Sequence, residues 1–78
     1  MRDLVEYLVR ALVADPAAVS VEELEENGDV VLEVRVAPDD LGRVIGRDGR
    51  VANAIRTIAK AAATAEGAGR VMVEIVED

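Results

Sequence analysis

The stretch Val44-Ile45-Gly46-Arg47-Asp48-Gly49-Arg50 sets two glycines three residues apart, with one arginine between them and another directly after. An apolar pair precedes the glycines and a helical pattern follows them. Residues of these types at this spacing handle phosphate by contact. Glycine takes positive φ at little cost and has no Cβ to hold a phosphodiester away from the main chain. The helix behind it turns unpaired N–H groups and the positive end of its dipole toward an anion. Arg47 and Arg50 add charge beside that path. The same turn also has a purely structural use, because a Gly-x-x-Gly step lets two helices meet closely.

No second constellation offers chemistry. The chain has neither Cys nor His, and Ser20, Thr57 and Thr64 are its only aliphatic hydroxyls. Nucleophilic and general-base arrangements are therefore hard to build, and no catalytic residue is assigned. Sixteen carboxylates show no ligand spacing such as an EF-hand loop, so they read as solvated surface, with no metal site and no cofactor. Gly49 is followed by Arg50 with no Lys-Ser/Thr pair, which excludes a P-loop. An enzyme is not expected.

Seventy-eight residues, 51% of them apolar, describe one folded domain spanning 1–78 and read as complete. A chain this short buries only about 60–65% of its unfolded surface. Phe and Trp are absent and Tyr7 is the single aromatic, so Val, Leu, Ile and Ala fill the core. No apolar run reaches the roughly 18 residues of a membrane span, and no signal-peptide pattern opens the chain. A soluble cytoplasmic protein is the expectation. The net charge of −7 argues against a nucleic-acid partner when taken as a sum. Its distribution argues otherwise. Arg43, Arg47, Arg50, Arg56 and Lys60 face one acid, Asp48, between residues 43 and 60, a local +4 that leaves −11 for the rest. One basic face on an acidic body is expected, although Arg56 and Lys60 also fit a merely solvated helix face.

Elements must position that loop. Residues 3 to 14 read as an amphipathic helix with Leu4, Val5, Leu8, Val9, Leu12 and Val13 toward the core. Asp3 with Glu6 resembles a capping box, and Asp15-Pro16 stops the run. Val19 to Glu26 has strand character, with an alternation slip between Val21 and Leu24 that suggests a bulge. Asn27-Gly28 is a hairpin turn signal. Val30 to Val36 puts Val30, Leu32, Val34 and Val36 on one face. Pro38-Asp39-Asp40 ends that strand and caps a short helix from Asp40 to Ile45. A third helix runs to about Ala65 on Val51, Ala52, Ile55, Ile58, Ala59 and Ala62. Gly67-Ala68-Gly69 breaks it, and Val71 to Val76 closes the chain as a strand. The order is α-β-β-α-α-β. Strand two and the closing strand are joined through two helices, long enough for a parallel crossover. The expected fold is α+β, a mixed three-stranded sheet packed on one face by helices.

Element order, the Asn-Gly hairpin, the approach Pro38-Asp39-Asp40-Leu41-Gly42-Arg43-Val44-Ile45-Gly46 and the loop Gly46-Arg47-Asp48-Gly49 with Arg50 behind it together resemble a KH domain of the prokaryotic type (type II). More narrowly, the whole chain resembles the small bacterial single-KH RNA-binding proteins of the KhpA/YlqC group. The resemblance implies single-stranded RNA bound in a cleft between the loop, its flanking helices and the sheet, with an RNA-chaperone or post-transcriptional regulatory role. By position it implies that Gly46 and Gly49 let the RNA backbone come close and that Arg47 meets phosphate. Ile45 would be an apolar floor for bases, and Arg43, Asp48 and Arg50 would complete the binding set. The missing aromatics fit this implication, because RRM modules and many OB modules stack bases on aromatic rings, whereas KH clefts use aliphatic surface. Self-association, and pairing with a larger bacterial KH protein carrying a Jag domain, are implied in the same way.

Two residues depart from the pattern. Asp48 stands where many relatives carry a neutral or basic residue; its carboxylate faces the phosphate path and is expected to cap the third helix. Ala52 stands where a larger aliphatic is common, with Ile55 supplying bulk. The competing expectation is a KH-fold interaction module that mainly dimerises through its Ala-rich third helix and binds little RNA itself.

Overall fold

The computed structural model describes residues 1–77. Its helices are α1 (Arg2–Leu12), α2 (Leu41–Ile45) and α3 (Arg50–Ala65), and its strands are β1 (Ser20–Glu26), β2 (Asp29–Arg35) and β3 (Val71–Ile75). Short 3-10 turns at Pro16–Ala18, Pro38–Asp40 and Arg47–Gly49 join them. The expected order and mixed sheet are observed: β2 lies in the middle, antiparallel to β1 and parallel to β3. Among the described residues no helix is long and apolar enough to cross a membrane.

The hairpin closes at Asn27 and Gly28, both at positive φ (54° and 84°), as a two-residue turn between right-twisted strands requires. Pairing from Ser20↔Arg35 to Glu26↔Asp29 runs without interruption, so the expected bulge is absent. Val21 faces the helices. Leu24 instead belongs to the opposite face, where the register aligns it with Val31 and Met72 in one apolar row. The slip is thus a change of face. Val31 is buried there, outside the main core.

The core lies between sheet and helices. Leu32 and Val34 of β2, Val71 and Val73 of β3, and Val21 of β1 meet Val5 and Val9 of α1, Val44 of α2 and Ile55, Ala59 and Ala63 of α3. Branched aliphatics and alanines close this interior without aromatics because small side chains let the helices sit near the sheet. The apolar stripe of α1 is only partly core: Val5 and Val9 are fully buried, whereas Leu4 and Leu12 are 38% and 41% exposed. In α3 the inward ridge is Ala52, Ile55, Ala59 and Ala63, and Ile58 points out. A helix resting on a three-stranded sheet buries a narrower stripe than its sequence offers.

The expected caps also differ. Helix α1 starts at Arg2, and no side chain caps it; Asp3 lies inside the first turn and pairs with Arg2 at 2.8 Å. Asp40 precedes α2 but does not cap it. Its buried carboxylate reaches back to the chain after α1, accepting from the N–H groups of Ala14 (3.0 Å) and Asp15 (3.1 Å), and Arg43 Nη1 donates to it at 2.9 Å. This carboxylate pins the start of α2, and with it the glycine loop, to the end of α1.

The Ala14 N–H, then the Asp15 N–H and Arg43, outweigh the opposing effect of burial and hold the Asp40 carboxyl below its ordinary value of 3.8. A folded-state value below the unfolded one means the contribution is complete above about pH 4 and is lost as the pH falls through the lower folded value. Asp40→Asn should lower the melting temperature at pH 7, and the gap to the wild type should narrow below pH 3.8. Thermal unfolding followed by circular dichroism across this range checks it; a gap that stays constant in acid would count against the ion-paired carboxylate.

Candidate nucleic-acid interface

The loop is built from both ends. Helix α2 stops at Gly46, whose N–H bonds to Gly42 O at 2.9 Å. Gly46 has φ 74° and ψ 174°, a region essentially limited to glycine. A Cβ on it would lie 2.4 Å from Val51 Cγ2 and 2.9 Å from the Val51 backbone nitrogen. This is the close helix approach expected of the motif. Arg47–Gly49 then forms a 3-10 turn, with Gly49 N–H on Gly46 O at 3.2 Å.

Asp48 (φ 56°, ψ 25°) and Gly49 (φ 74°, ψ 15°) are both left-handed. Asp tolerates this conformation better than most side chains because its short polar group bonds locally. Nothing lies within 4 Å of a Cβ placed on Gly49, so the two glycines serve different ends. Gly46 admits a neighbouring helix, and Gly49 leaves its outer side open. The cap position of α3 is Gly49 itself, and no side chain caps the helix. The expected Asp48 cap does not form, because Asp48 stands one residue too early.

The site residues expected from sequence sit along one continuous segment. Arg47, Asp48 and Arg50 are exposed, and Ile45 and the two glycines are half-buried. Arg43, on α2, spends one guanidinium nitrogen on Asp40 while its side chain stays 56% exposed. Arg56, absent from that expected set, reaches from α3 to the free edge of β3. Its Nε donates to Val73 O at 3.2 Å and its Nη1 to Asn53 Oδ1 at 3.1 Å. Val73 turns this carbonyl outward because the residues at alternate positions, Arg70 and Val76, bond to β2.

Charge divides along the same line. Arg2, Arg10, Arg35 and Arg43 each pair with a carboxylate. Arg47, Arg50, Arg56, Lys60 and Arg70 make no ion pair among the described residues, and all five follow the loop, α3 and the start of β3. Arg56 and Lys60 carry a sequence signal in their four-residue spacing. Arg70 carries none, since only the return of β3 beside α3 brings it near.

A family model described as "KhpA/KhpB, KH domain" matches residues 2–75. The chain is 49% identical over 76 residues to the protein named RNA-binding protein KhpA in Caldanaerobacter subterraneus subsp. tengcongensis, covering 97% of this chain and 100% of that one. It is 44% identical over 77 residues to the protein of the same name in Aquifex aeolicus, covering 99% and 96%. Among solved structures it is similar to a variant of Aquifex aeolicus Era bound to GDP.AlF4-, with a TM-score of 0.64 at 18% identity. That match covers 99% of this chain and 31% of the other, a likeness of fold alone.

The glycines should respond differently to substitution. Gly46→Ala should lose about 1–3 kcal/mol through overpacking against Val51, with backbone strain of similar order added. Gly49→Ala meets no atoms and should lose only about 1–2 kcal/mol for its left-handed backbone. Urea unfolding of both variants measures the difference; equal losses would contradict the distinct roles.

Proposed function

The chain belongs to the KhpA/KhpB KH-domain family, which is non-enzymatic, and from that premise we propose that it binds a short stretch of single-stranded RNA in the cleft bordered by Gly46-Arg47-Asp48-Gly49. One observation carries the reading: the open outer side of Gly49 lies at the uncapped start of α3. Arg47 and Arg50 flank it, neither engaged with a carboxylate among the described residues. A phosphate there meets helix N–H groups and two free guanidinium groups. Ile45 offers apolar surface to a base, and Arg43 and Arg56 add charge at either side. Relatives named RNA-binding protein KhpA support the class of ligand. With no reactive group at the site, the protein acts by holding a strand, which suits a cytoplasmic RNA chaperone or post-transcriptional regulator.

The test is fluorescence polarisation with a labelled single-stranded RNA at two salt concentrations. Roughly two to four phosphate contacts give a log–log slope of about −1.4 to −2.8. Arg47→Asp should fold with a change within about 0.5 kcal/mol and lose binding to background. Asp48→Asn keeps a residue that tolerates the left-handed backbone and removes the repelling charge. It should tighten binding roughly twofold to fivefold, consistent with up to about 1 kcal/mol for one charge pair in water. Salt-independent binding, or full binding by Arg47→Asp, would move the site elsewhere.

A second reading concerns assembly. Leu4, Tyr7 and Leu12 of α1 and Ile58 of α3 are exposed, apolar surface suited to a second KH domain. A homodimer, or a pair with a larger KH protein of the Jag type, would cover it. Sedimentation should find a dimer at micromolar concentration that Ile58→Glu converts to monomer; a wild type that stays monomeric at high concentration removes this reading.

A further inference from the structure

Between the last turns of α3 and the start of β3 lies an open depression of about 270 Å³, lined by Lys60, Ala63, Thr64, Gly69, Arg70 and Val71. It stands at the end of α3 opposite the glycine loop. Lys60 follows Arg56 by one helical turn, so both project from one face of the helix, and Arg56 already touches the free edge of β3. The depression therefore continues the loop side of the molecule. Eleven residues of helix separate Lys60 from Gly49, roughly 16 Å at 1.5 Å per residue.

The lining selects the ligand. Ala63, Gly69 and Val71 provide a small apolar floor, while Lys60 and Arg70 bring two cations that have no carboxylate partner among the described residues. Thr64 Oγ1 donates to Lys60 O at 3.0 Å, which leaves its lone pairs free to accept. Helix α3 ends at Ala65, and the carbonyl-bearing negative end of its dipole disfavours a phosphate. The volume lies below the roughly 300–1,000 Å³ of a small-molecule site. A flat, neutral group with an attached chain fits these constraints. A nucleobase is such a group, and in a chain without Phe or Trp it stacks on an arginine plane, as unpaired bases do elsewhere.

We propose that this depression holds one nucleobase of a strand that runs past the glycine loop along α3, an inference that rests on the RNA-clamp reading above. The strand leaves the clamp, which takes about four nucleotides in KH domains, and crosses the Arg56 guanidinium. One further base then settles between Arg70 and the Lys60 stem. At 3.4 Å per stacked step the distance from the loop is about five nucleotides. A four-nucleotide RNA cannot fill both places, and an eight-nucleotide RNA can.

Labelled oligouridines of four and eight nucleotides, titrated by fluorescence polarisation, test this. Wild type should bind the longer RNA about tenfold more tightly, the order expected for one stacked base. The double variant Lys60→Ala, Arg70→Ala should lose that increment and bind the tetranucleotide as wild type does. Circular dichroism should find both proteins equally folded. An abasic nucleotide moved along the eight-nucleotide RNA keeps every phosphate; at one position distant from the clamped segment it should also abolish the increment. Tetranucleotide binding without a length increment, equal weakening of both lengths in the double variant, or indifference to every abasic position would overturn the base subsite while leaving the clamp intact. Absence of binding at both lengths would remove the clamp and the subsite together.

Discussion

The buried carboxylate of Asp40 holds α2 and the glycine loop in place. Helix α2 has five residues, far too few to be stable by itself. Its N-terminal end is held by Asp40, which gathers the Ala14 and Asp15 N–H groups and the Arg43 guanidinium. Its C-terminal end is held by the Gly46–Val51 contact, where the absence of a Cβ allows α3 to approach. Between these two fixed points Val44 is fully buried and locks the rotation of the helix. The glycine loop inherits its orientation from these restraints. Arg43 links the two roles, since it satisfies Asp40 and still extends into solvent beside the loop.

Electrostatics are segregated around that frame. On the sheet face away from the helices, the register aligns Glu22, Glu33 and Glu74 in one cross-strand row, with Glu26 and Asp29 paired at the hairpin end. Like charges opposite one another weaken a sheet by a few tenths of a kcal/mol to about 1 kcal/mol per pair. Arg35, 3.9 Å from Glu33, offsets part of that. The row makes the flat face repel a polyanion, whereas the cations without a carboxylate partner among the described residues lie along the loop, α3 and the start of β3. An acidic protein can therefore present one basic border, and its net charge misrepresents the surface a strand would meet.

The face of each helix was less legible than its existence. Apolar spacing located α1 and α3 to within a residue or two, because amphipathic periodicity is a local property. Which apolar side chains are inside depends on how much neighbouring structure covers them. Leu4, Leu12 and Ile58 satisfy the periodicity and still lie outside, whereas Ala63 lies inside. Leu24 looked like a bulge for a related reason: alternation along one strand does not reveal an apolar row completed by two others. Capping failed at Asp3, Asp40 and Asp48, since a capping residue is only available if no tertiary partner or backbone geometry takes it first.

The sequence alone determined the α-β-β-α-α-β order, the two-residue hairpin turn, the glycine loop between two helices and its flanking arginines. Each of these follows from propensity, periodicity or the freedom of glycine at a few consecutive positions. Tertiary structure decided what those residues do for one another. It committed Asp40 to the chain after α1, assigned Gly46 to helix packing and Gly49 to an open surface, and laid Arg56 across the edge of β3. It also brought Arg70 beside Lys60. Apart from the local Gly46–Val51 contact, these outcomes join residues between 10 and 26 positions apart, and such distances are set by the packing of the whole core.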